Sequence, residues 1–212
     1  MLIRHRNSEP QVHPDAYVAP TATLVGDVVV GAHARVMYGA VLDAEASQIA
    51  VGSFTIVGEN AVLRASAAVG PQPVVVGDHV LIGPHATLLG CVVGRCAYLA
   101  TGATVLQTAK LGEGTVVAVG ALVHAGAVTP GSFFVPPFTV AVGDPPRLFA
   151  PGDPGLPDAV RGVGFAEVAF GATAAWTDRV RRAEHATRVR SAEYTAHHDD
   201  LVVGEVAPTR EK

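Results

Sequence analysis

An aliphatic residue recurs every six positions through most of this sequence, and this period limits the fold more than any other feature. A helix with 3.6 residues per turn cannot keep a six-residue register over so many copies. A prism with three flat faces can keep it, because each hexapeptide makes one short strand and one corner. The chain is therefore predicted to be mainly β, a left-handed parallel β-helix of hexapeptide repeats. The predicted inward positions are Val18, Leu24, Val30, Val36, Leu42, Val51, Val57, Leu63, Val76, Ile82, Leu88, Val93, Leu99, Val105, Leu111, Val117 and Val123.

The residues around each aliphatic position support the prism. Gly often follows directly, as in Val30-Gly31 and Val51-Gly52, and a small residue such as Ala34 or Thr55 recurs four places later. We interpret the Gly as permitting a positive φ at a corner and the small residue as tolerating crowding there. A β-sandwich is the alternative, but its strands would alternate with period two between longer loops. Because only 6% of residues are aromatic, Val, Ala, Leu and Ile must fill the core.

The repeat has two interruptions and a clear end. Residues 65–74 break the period around Gly70-Pro71-Gln72-Pro73, which predicts a loop thrown out from the prism. The step from Leu88 to Val93 is five residues, which predicts a tightened corner. A Pro-rich run through residue 147 then ends the prism.

The chain is predicted to consist of a β-helix domain at residues 1–149, followed at residues 150–212 by a linker, a C-terminal α-helix packed along the prism, and a tail. Between Phe165 and Val189, after the linker at residues 151–157, apolar residues recur at threes and fours, as on an amphipathic helix. The arginines of this helix resemble a DNA-binding face. Glutamates lie among them, so a solvated outer face is the favoured interpretation.

Charge and hydropathy restrict the partners. The formal net charge is -4 and there is no long basic run, which argues against nucleic acid and anionic membrane surfaces. No stretch approaches the ~20 apolar residues of a membrane span, and the first six residues lack the apolar core of a secretory signal. A cytoplasmic protein that binds small molecules or other proteins is expected.

From Leu24 to Arg147, the order and spacing of motifs resemble those of the gamma-class carbonic anhydrases. Residues 82–91 read Ile-Gly-Pro-His-Ala-Thr-Leu-Leu-Gly-Cys, where that family has Ile-Gly-His-x-x-x-Leu-His-Gly-Cys. Residues 41–45 read Val-Leu-Asp-Ala-Glu, where the family has Val-Leu-Arg-Gly-Asp. Residues 62–64 read Val-Leu-Arg, in the place of an aliphatic pair followed by His. The resemblance covers more than half of the chain and implies a left-handed β-helix.

The same resemblance implies that the zinc site of the family is lost. The three zinc-ligand positions fall on Arg64, Pro84 and Leu89. A guanidinium stays protonated, and the other two side chains have no lone-pair donor, so none of the three can bind zinc. We therefore expect no metal, no cofactor and no ordinary zinc carbonic anhydrase activity, because that mechanism needs a metal-activated water.

The resemblance also implies a homotrimer with the site between subunits. Arg64 puts a fixed positive charge at the former metal position, and Asp43 puts a carboxylate where the family has Arg; both are candidate ligand-binding residues. Glu45 and Glu59 keep the acidic character of their counterparts, and His85 lies beside a vacated ligand position. These three are candidate catalytic acids or bases. For His85, an ordinary surface histidine is the alternative.

Three functions remain open at this point. The favoured one is a cleft between subunits that binds a small ligand, such as a carboxylate, and carries out metal-independent acid–base chemistry. Retention of several ionisable residues favours it, since a filled site could consist of Val and Ala. The alternative is a closed Arg–carboxylate network in an inactive structural or assembly subunit. The third is an acyl-CoA-dependent acyltransferase, with His85 or His124 as the base.

Overall fold

The computed structural model describes residues 1–204, and most of that length is built from two- and three-residue strands. Most of these strands are followed by a short turn or bend, as the six-residue period predicts. In chain order the strands are β1 (Leu2–Arg4), β2 (Gln11–Val12), β3 (Tyr17–Val18), β4 (Thr23–Val25), β5 (Val28–Val30), β6 (Arg35–Val36), β7 (Val41–Asp43), β8 (Ile49–Val51), β9 (Ile56–Val57), β10 (Val62–Arg64), β11 (Val74–Val76), β12 (Leu81–Ile82), β13 (Thr87–Leu89), β14 (Val92–Val93), β15 (Tyr98–Leu99), β16 (Thr104–Val105), β17 (Lys110–Leu111), β18 (Val116–Val117), β19 (Leu122–Val123), β20 (Phe134–Val135), β21 (Val140–Val142), β22 (Arg147–Phe149) and β23 (Leu201–Gly204).

The strands form three sheets, which are the faces of a left-handed parallel β-helix. Sheet 1 has ten strands in the order β22-β21-β19-β16-β13-β10-β7-β4-β1-β23, sheet 2 runs β17-β14-β11-β8-β5-β2, and sheet 3 runs β20-β18-β15-β12-β9-β6-β3. Parallel pairing sets Leu42, Leu63 and Leu88 side by side on successive coils, and all three are fully buried. The predicted fold class and inward column are confirmed.

The Gly that follows many inward residues is required for a different reason from the one predicted. Gly52 has no positive φ; instead, a Cβ built on it would lie 2.5 Å from the carbonyl carbon of Gly77 on the next coil. Gly77 meets the backbone of Arg95 in the same way. Positive φ values occur two residues further on, as at His79 and His85. The Gly is therefore required because successive coils approach too closely for a side chain.

The segment after the prism is helical, but it is divided. It contains α1 (Leu156–Val163), α2 (Phe165–Phe170), α3 (Arg179–Tyr194) and a 3₁₀-helix (Thr195–Asp199). The single helix predicted between Phe165 and Val189 is interrupted, because Gly171 ends α2 with φ 65° and Asp178 caps a new helix. β23 then returns to the prism and pairs antiparallel with β1 at the edge of sheet 1. No helix within residues 1–204 is long and apolar enough to cross a membrane.

Candidate functional site

A column of outward positions on sheet 1 holds the residues that the sequence singled out. Parallel register places Val25 beside Asp43, Asp43 beside Arg64, and Arg64 beside Leu89. Neighbouring strands lie ~4.8 Å apart, so the Arg64 and Asp43 side chains are within reach of each other. The column lies at the carboxyl ends of β7, β10 and β13, where the chain turns toward sheet 2.

Arg64 is the centre of this cluster. Its Nη2 lies 3.2 Å from Oδ2 of Asp43, and its Nε lies 3.8 Å from Oε1 of Glu45. Its Nη1 donates a 2.7 Å hydrogen bond to the Tyr194 hydroxyl, and the guanidinium lies over the Tyr194 ring. The structure thus brings together three of the residues predicted from sequence, Asp43, Glu45 and Arg64, and adds a tyrosine from the end of α3.

Residues 194–204, which we call the C-terminal cover, pack over this cluster. Asp200 joins the cover to the residue that follows β1, because its Oδ1 lies 2.6 Å from Nδ1 of His5 and its Oδ2 lies 2.9 Å from Nδ1 of His197. The two imidazole rings stack with centroids 4.4 Å apart. Arg6 donates from Nε to Nε2 of His5, so His5 carries its proton on Nδ1 and donates it to Asp200.

Glu45 is the most unusual group of the cluster. Its side chain is 1% exposed, and neither carboxylate oxygen has a hydrogen-bond partner within residues 1–204. Burial, and then the charge of Asp43, raise the pKa of Glu45 above its usual range, and the charges of Arg190, Arg64 and His197 act against this increase. Glu45 is therefore suited to hold or transfer a proton.

The histidine of the cover is electrostatically tied to the acids beneath it. Burial lowers the pKa of His197, but the hydrogen bond to Asp200 and the charges of Asp43, Asp200 and Glu45 outweigh it, so its pKa is raised. Burial likewise works to raise the pKa of Asp200, and hydrogen bonds from His197 and His5 lower it overall. Protonated His197 therefore attracts the carboxylates that it covers.

Glu59 and His85 lie away from this cluster in the single chain. Glu59 precedes β10 and Arg64 ends it, so the two residues are at opposite edges of sheet 1. His85 is exposed at the corner before β13, and its backbone N–H donates to the Glu59 carbonyl. The two candidates are neighbours of each other, and only a second subunit could place them opposite Arg64.

The positions that the resemblance assigns to zinc do not fit the metal. Leu89 lies directly beside Arg64 and offers no donor atom, and Pro84 offers none either. The Arg64 guanidinium occupies the space between Asp43 and Tyr194. These three positions therefore supply no zinc chemistry.

Sequence reasoning missed the residues that the C-terminal cover contributes, together with His5. His197 and Asp200 lie in a short polar run, His-His-Asp-Asp, that begins three residues after the end of α3. Such a run of ligand-type residues after a helix was the available signal. Its place over Arg64 was not visible in the sequence, because the contact spans more than a hundred residues.

The fold is a hexapeptide-repeat β-helix, and an Arg–carboxylate cluster lies on its sheet 1. No family model matches the chain. Gamma carbonic anhydrase 1, mitochondrial, from Arabidopsis thaliana is 34% identical over 156 residues, covering 69% of this chain and 54% of the relative. Gamma carbonic anhydrase 3, mitochondrial, from the same plant is 41% identical over 112 residues, covering 49% and 43%. The predicted resemblance to gamma-class carbonic anhydrases is confirmed.

Other comparisons broaden this picture. The carnitine operon protein CaiE of Escherichia coli is 32% identical over 117 residues, covering 55% of this chain and 58% of that one. The chain thus spans about half the length of the curated relatives it matches. A crystal structure of a hexapeptide transferase family protein from Anaplasma phagocytophilum superimposes with a TM-score of 0.51 and 20% identity, covering 93% of this chain and 97% of that one. That likeness shows the shared fold.

Proposed function

We propose that the Arg64 cluster binds a small carboxylate and that Arg64 is the residue that holds it. The observation that carries this proposal is the state of the Arg64 side chain: it is 30% exposed and directs single N–H groups to Asp43 and Tyr194. A guanidinium has five donors in a planar fork that matches a carboxylate. Nε is buried and faces Glu45, so the remaining Nη hydrogens are the ones that would hold the ligand. The retained acids around it supply the polar walls of a binding site.

Acid–base chemistry without zinc is the second part of this proposal. Glu45 is the proton carrier, because it is buried and its pKa is raised. Glu59 and His85 would join the site from a neighbouring subunit, opposite Arg64. The C-terminal cover would have to move aside for a ligand to reach Glu45, since Tyr194 and His197 lie over it.

Replacing Arg64 with Lys is expected to weaken carboxylate binding at least about tenfold, because Lys keeps the charge but loses the planar pair of donors. Formate, acetate and succinate are suitable probes, with binding followed by saturation-transfer NMR in the presence of a chelator. Arg95→Lys is the matched control, since Arg95 pairs with Glu113 on an exposed face. Equal binding by both variants, or no binding by the wild type, would contradict the proposal.

The second candidate is a closed structural site, and one observation favours it. Arg64 contacts Asp43, Glu45 and Tyr194 within one chain, which is the closed Arg–carboxylate network expected of an inactive subunit. A buried ion network of this kind holds its neighbours in one arrangement without any ligand. The absence of binding to every carboxylate probe is the result that this candidate predicts.

The predicted homotrimer belongs to the same proposal, and an apolar stripe on sheet 3 supports it. Ile56, Leu81, Tyr98 and Phe134 lie in one outward column, and each is at least 40% exposed. An exposed apolar column of this length is typical of a surface that is covered in an assembly. The same column continues to Arg35 beside Ile56, and the outward column of sheet 2 includes Lys110.

Tyr98→Glu is expected to reduce the assembled mass to that of the monomer, because it buries a charge in the proposed interface. Native mass spectrometry measures this directly. Val92→Glu is the matched control, because Val92 is also exposed on a two-residue strand but belongs to sheet 2. A trimer that survives Tyr98→Glu, or one that is broken equally by Val92→Glu, would place the interface elsewhere.

Three further expectations stay predictions. The first is the acyltransferase alternative. Its candidate base His124 is buried, and its ring lies edge-on to that of Phe165, with 5.8 Å between the two centroids. The second is the cytoplasmic location. The two plant relatives described above carry the word mitochondrial in their names, so they do not support it. The third is the division into two parts at residue 149. β23 follows the helices in the chain, yet it belongs to sheet 1 of the first part.

A further inference from the structure

Three ligand-type atoms converge beneath the C-terminal cover. Nε2 of His197 lies 3.6 Å from Oε2 of Glu45 and 4.0 Å from Oδ2 of Asp43, and the three residues offer ligand atoms within 4.8 Å of one another. These separations are too long for hydrogen bonds. Donor atoms that share a divalent ion at ~2.1 Å lie ~3.0–3.5 Å from one another. The His197–Glu45 pair is already close to that spacing, and a bound ion would draw the other atoms together.

The orientation of His197 is fixed in the way that metal-binding histidines require. Its Nδ1 faces Oδ2 of Asp200, whose other oxygen is held by the buried His5. A carboxylate at Nδ1 keeps the proton there and leaves the lone pair of Nε2 free to bind a cation. Nε2 faces the two acids on the prism. An electron pair directed at two carboxylates is unfavourable, so Nε2 must hold either a proton or a metal ion at this place.

Glu45 supplies an independent observation. Its side chain is 1% exposed, yet neither oxygen has a hydrogen-bond partner within residues 1–204. Buried polar atoms are nearly always paired, so these oxygens require a proton or a cation. Asp43 and Glu45 present two carboxylates to the guanidinium of Arg64, and Arg190, whose charge also acts on Glu45, is paired with Glu193. The cluster is therefore short of positive charge on the side that faces His197.

We infer that Asp43, Glu45 and His197 form a binding site for a first-row divalent metal ion such as Mn²⁺ or Zn²⁺. Two carboxylates and one imidazole, with no thiolate, are the donor set that suits these ions. The site shares no ligand with the three positions that the resemblance assigns to zinc. It is built only when the C-terminal cover lies on the prism, since His197 comes from the cover.

This inference does not rest on the proposed function. A bound ion would hold Glu45 as an ionised ligand and would prevent it from carrying a proton. Carboxylate binding by Arg64 is measured with a chelator present, so its outcome does not depend on metal. The two proposals can therefore fail separately.

Isothermal titration of the chelator-treated full chain with MnCl₂ and with ZnCl₂ tests the site. One ion per chain is expected to bind, and His197→Ala is expected to weaken binding by about ten- to a hundredfold. His198→Ala is the matched control and should leave the affinity unchanged. His198 is the next residue, exposed, and outside the cluster.

Glu45→Gln is the second variant, because it keeps the shape of the side chain and removes the charge of one ligand. It should weaken binding at least about tenfold, while its circular dichroism spectrum matches that of the wild type. The absence of binding to either ion, or equal affinities for His197→Ala and His198→Ala, would overturn the inference. Binding that survives Glu45→Gln unchanged would do the same.

Discussion

Replacing Arg64 with Ala is expected to lower the free energy of unfolding by about 3 kcal/mol at pH 8, because it leaves the buried carboxylates of Asp43 and Glu45 without their guanidinium. Chemical denaturation at fixed protein concentration measures the loss. Arg95→Ala is the matched control. It removes an exposed pair with Glu113 and should cost no more than about 1 kcal/mol.

The loss caused by Arg64→Ala should depend on pH in a defined direction. The pKa of Glu45 is raised in the folded protein, and removing Arg64 raises it further, since Arg64 is one of the groups that lower it. A carboxyl with a raised folded-state pKa binds its proton more tightly in the folded state, so stability falls as pH rises through that pKa. The difference between variant and wild type should therefore be smaller at pH 5 than at pH 8.

A double variant makes this prediction sharper. Adding Glu45→Gln to Arg64→Ala removes one of the two unpaired charges and should restore part of the lost stability. If Arg64→Ala proves no more costly than Arg95→Ala, the buried ion network does not hold the cover in place. The closed structural candidate would then lose its main support.

Leu88→Ala is expected to lower the free energy of unfolding by about 2–5 kcal/mol, because it opens a cavity in a column with no exposed surface. Its neighbours on adjacent coils, Leu63 and Val105, are also fully buried and cannot easily fill the space. Thermal and chemical unfolding both report the change.

Leu148→Ala is the control for this second prediction. Leu148 lies on β22 and is 40% exposed, so its truncation should cost less than about 1 kcal/mol. Equal losses at the two positions would mean that the inward column is not the main source of stability. A loss at Leu88 below that at Leu148 would contradict the assigned inward register.

The β-helix was predictable from the sequence because its repeat is local. Each hexapeptide contacts the equivalent hexapeptides on the next coils, so the position of Leu88 in its own repeat fixes its place in the stack. In the structure the same repeat sets Asp43 beside Arg64 on neighbouring strands. The helices after residue 150 have no such repeat to fix their boundaries. Their division at Gly171 and Asp178 depends on turn geometry and capping at single residues.

The role of the repeated Gly was misjudged from sequence for a related reason. The pattern showed where Gly occurs but not what lies next to it in space. Only the stacked coils show that a Cβ on Gly52 would contact the Gly77 backbone. The sequence thus determined the position, and the neighbouring coil determined the cause.

The sequence by itself determined the three-sided β-helix and its inward column, because a six-residue period carries those relations from coil to coil. The family resemblance singled out Asp43, Glu45 and Arg64, but it singled out Glu59 and His85 equally. Only the tertiary structure decided that the first three form a cluster, and what covers it. His197 and Asp200 reach the cluster through β23, which pairs with β1 almost two hundred residues earlier in the chain. No local pattern specifies such a pairing, because it depends on which sheet edge is left free once the prism has closed.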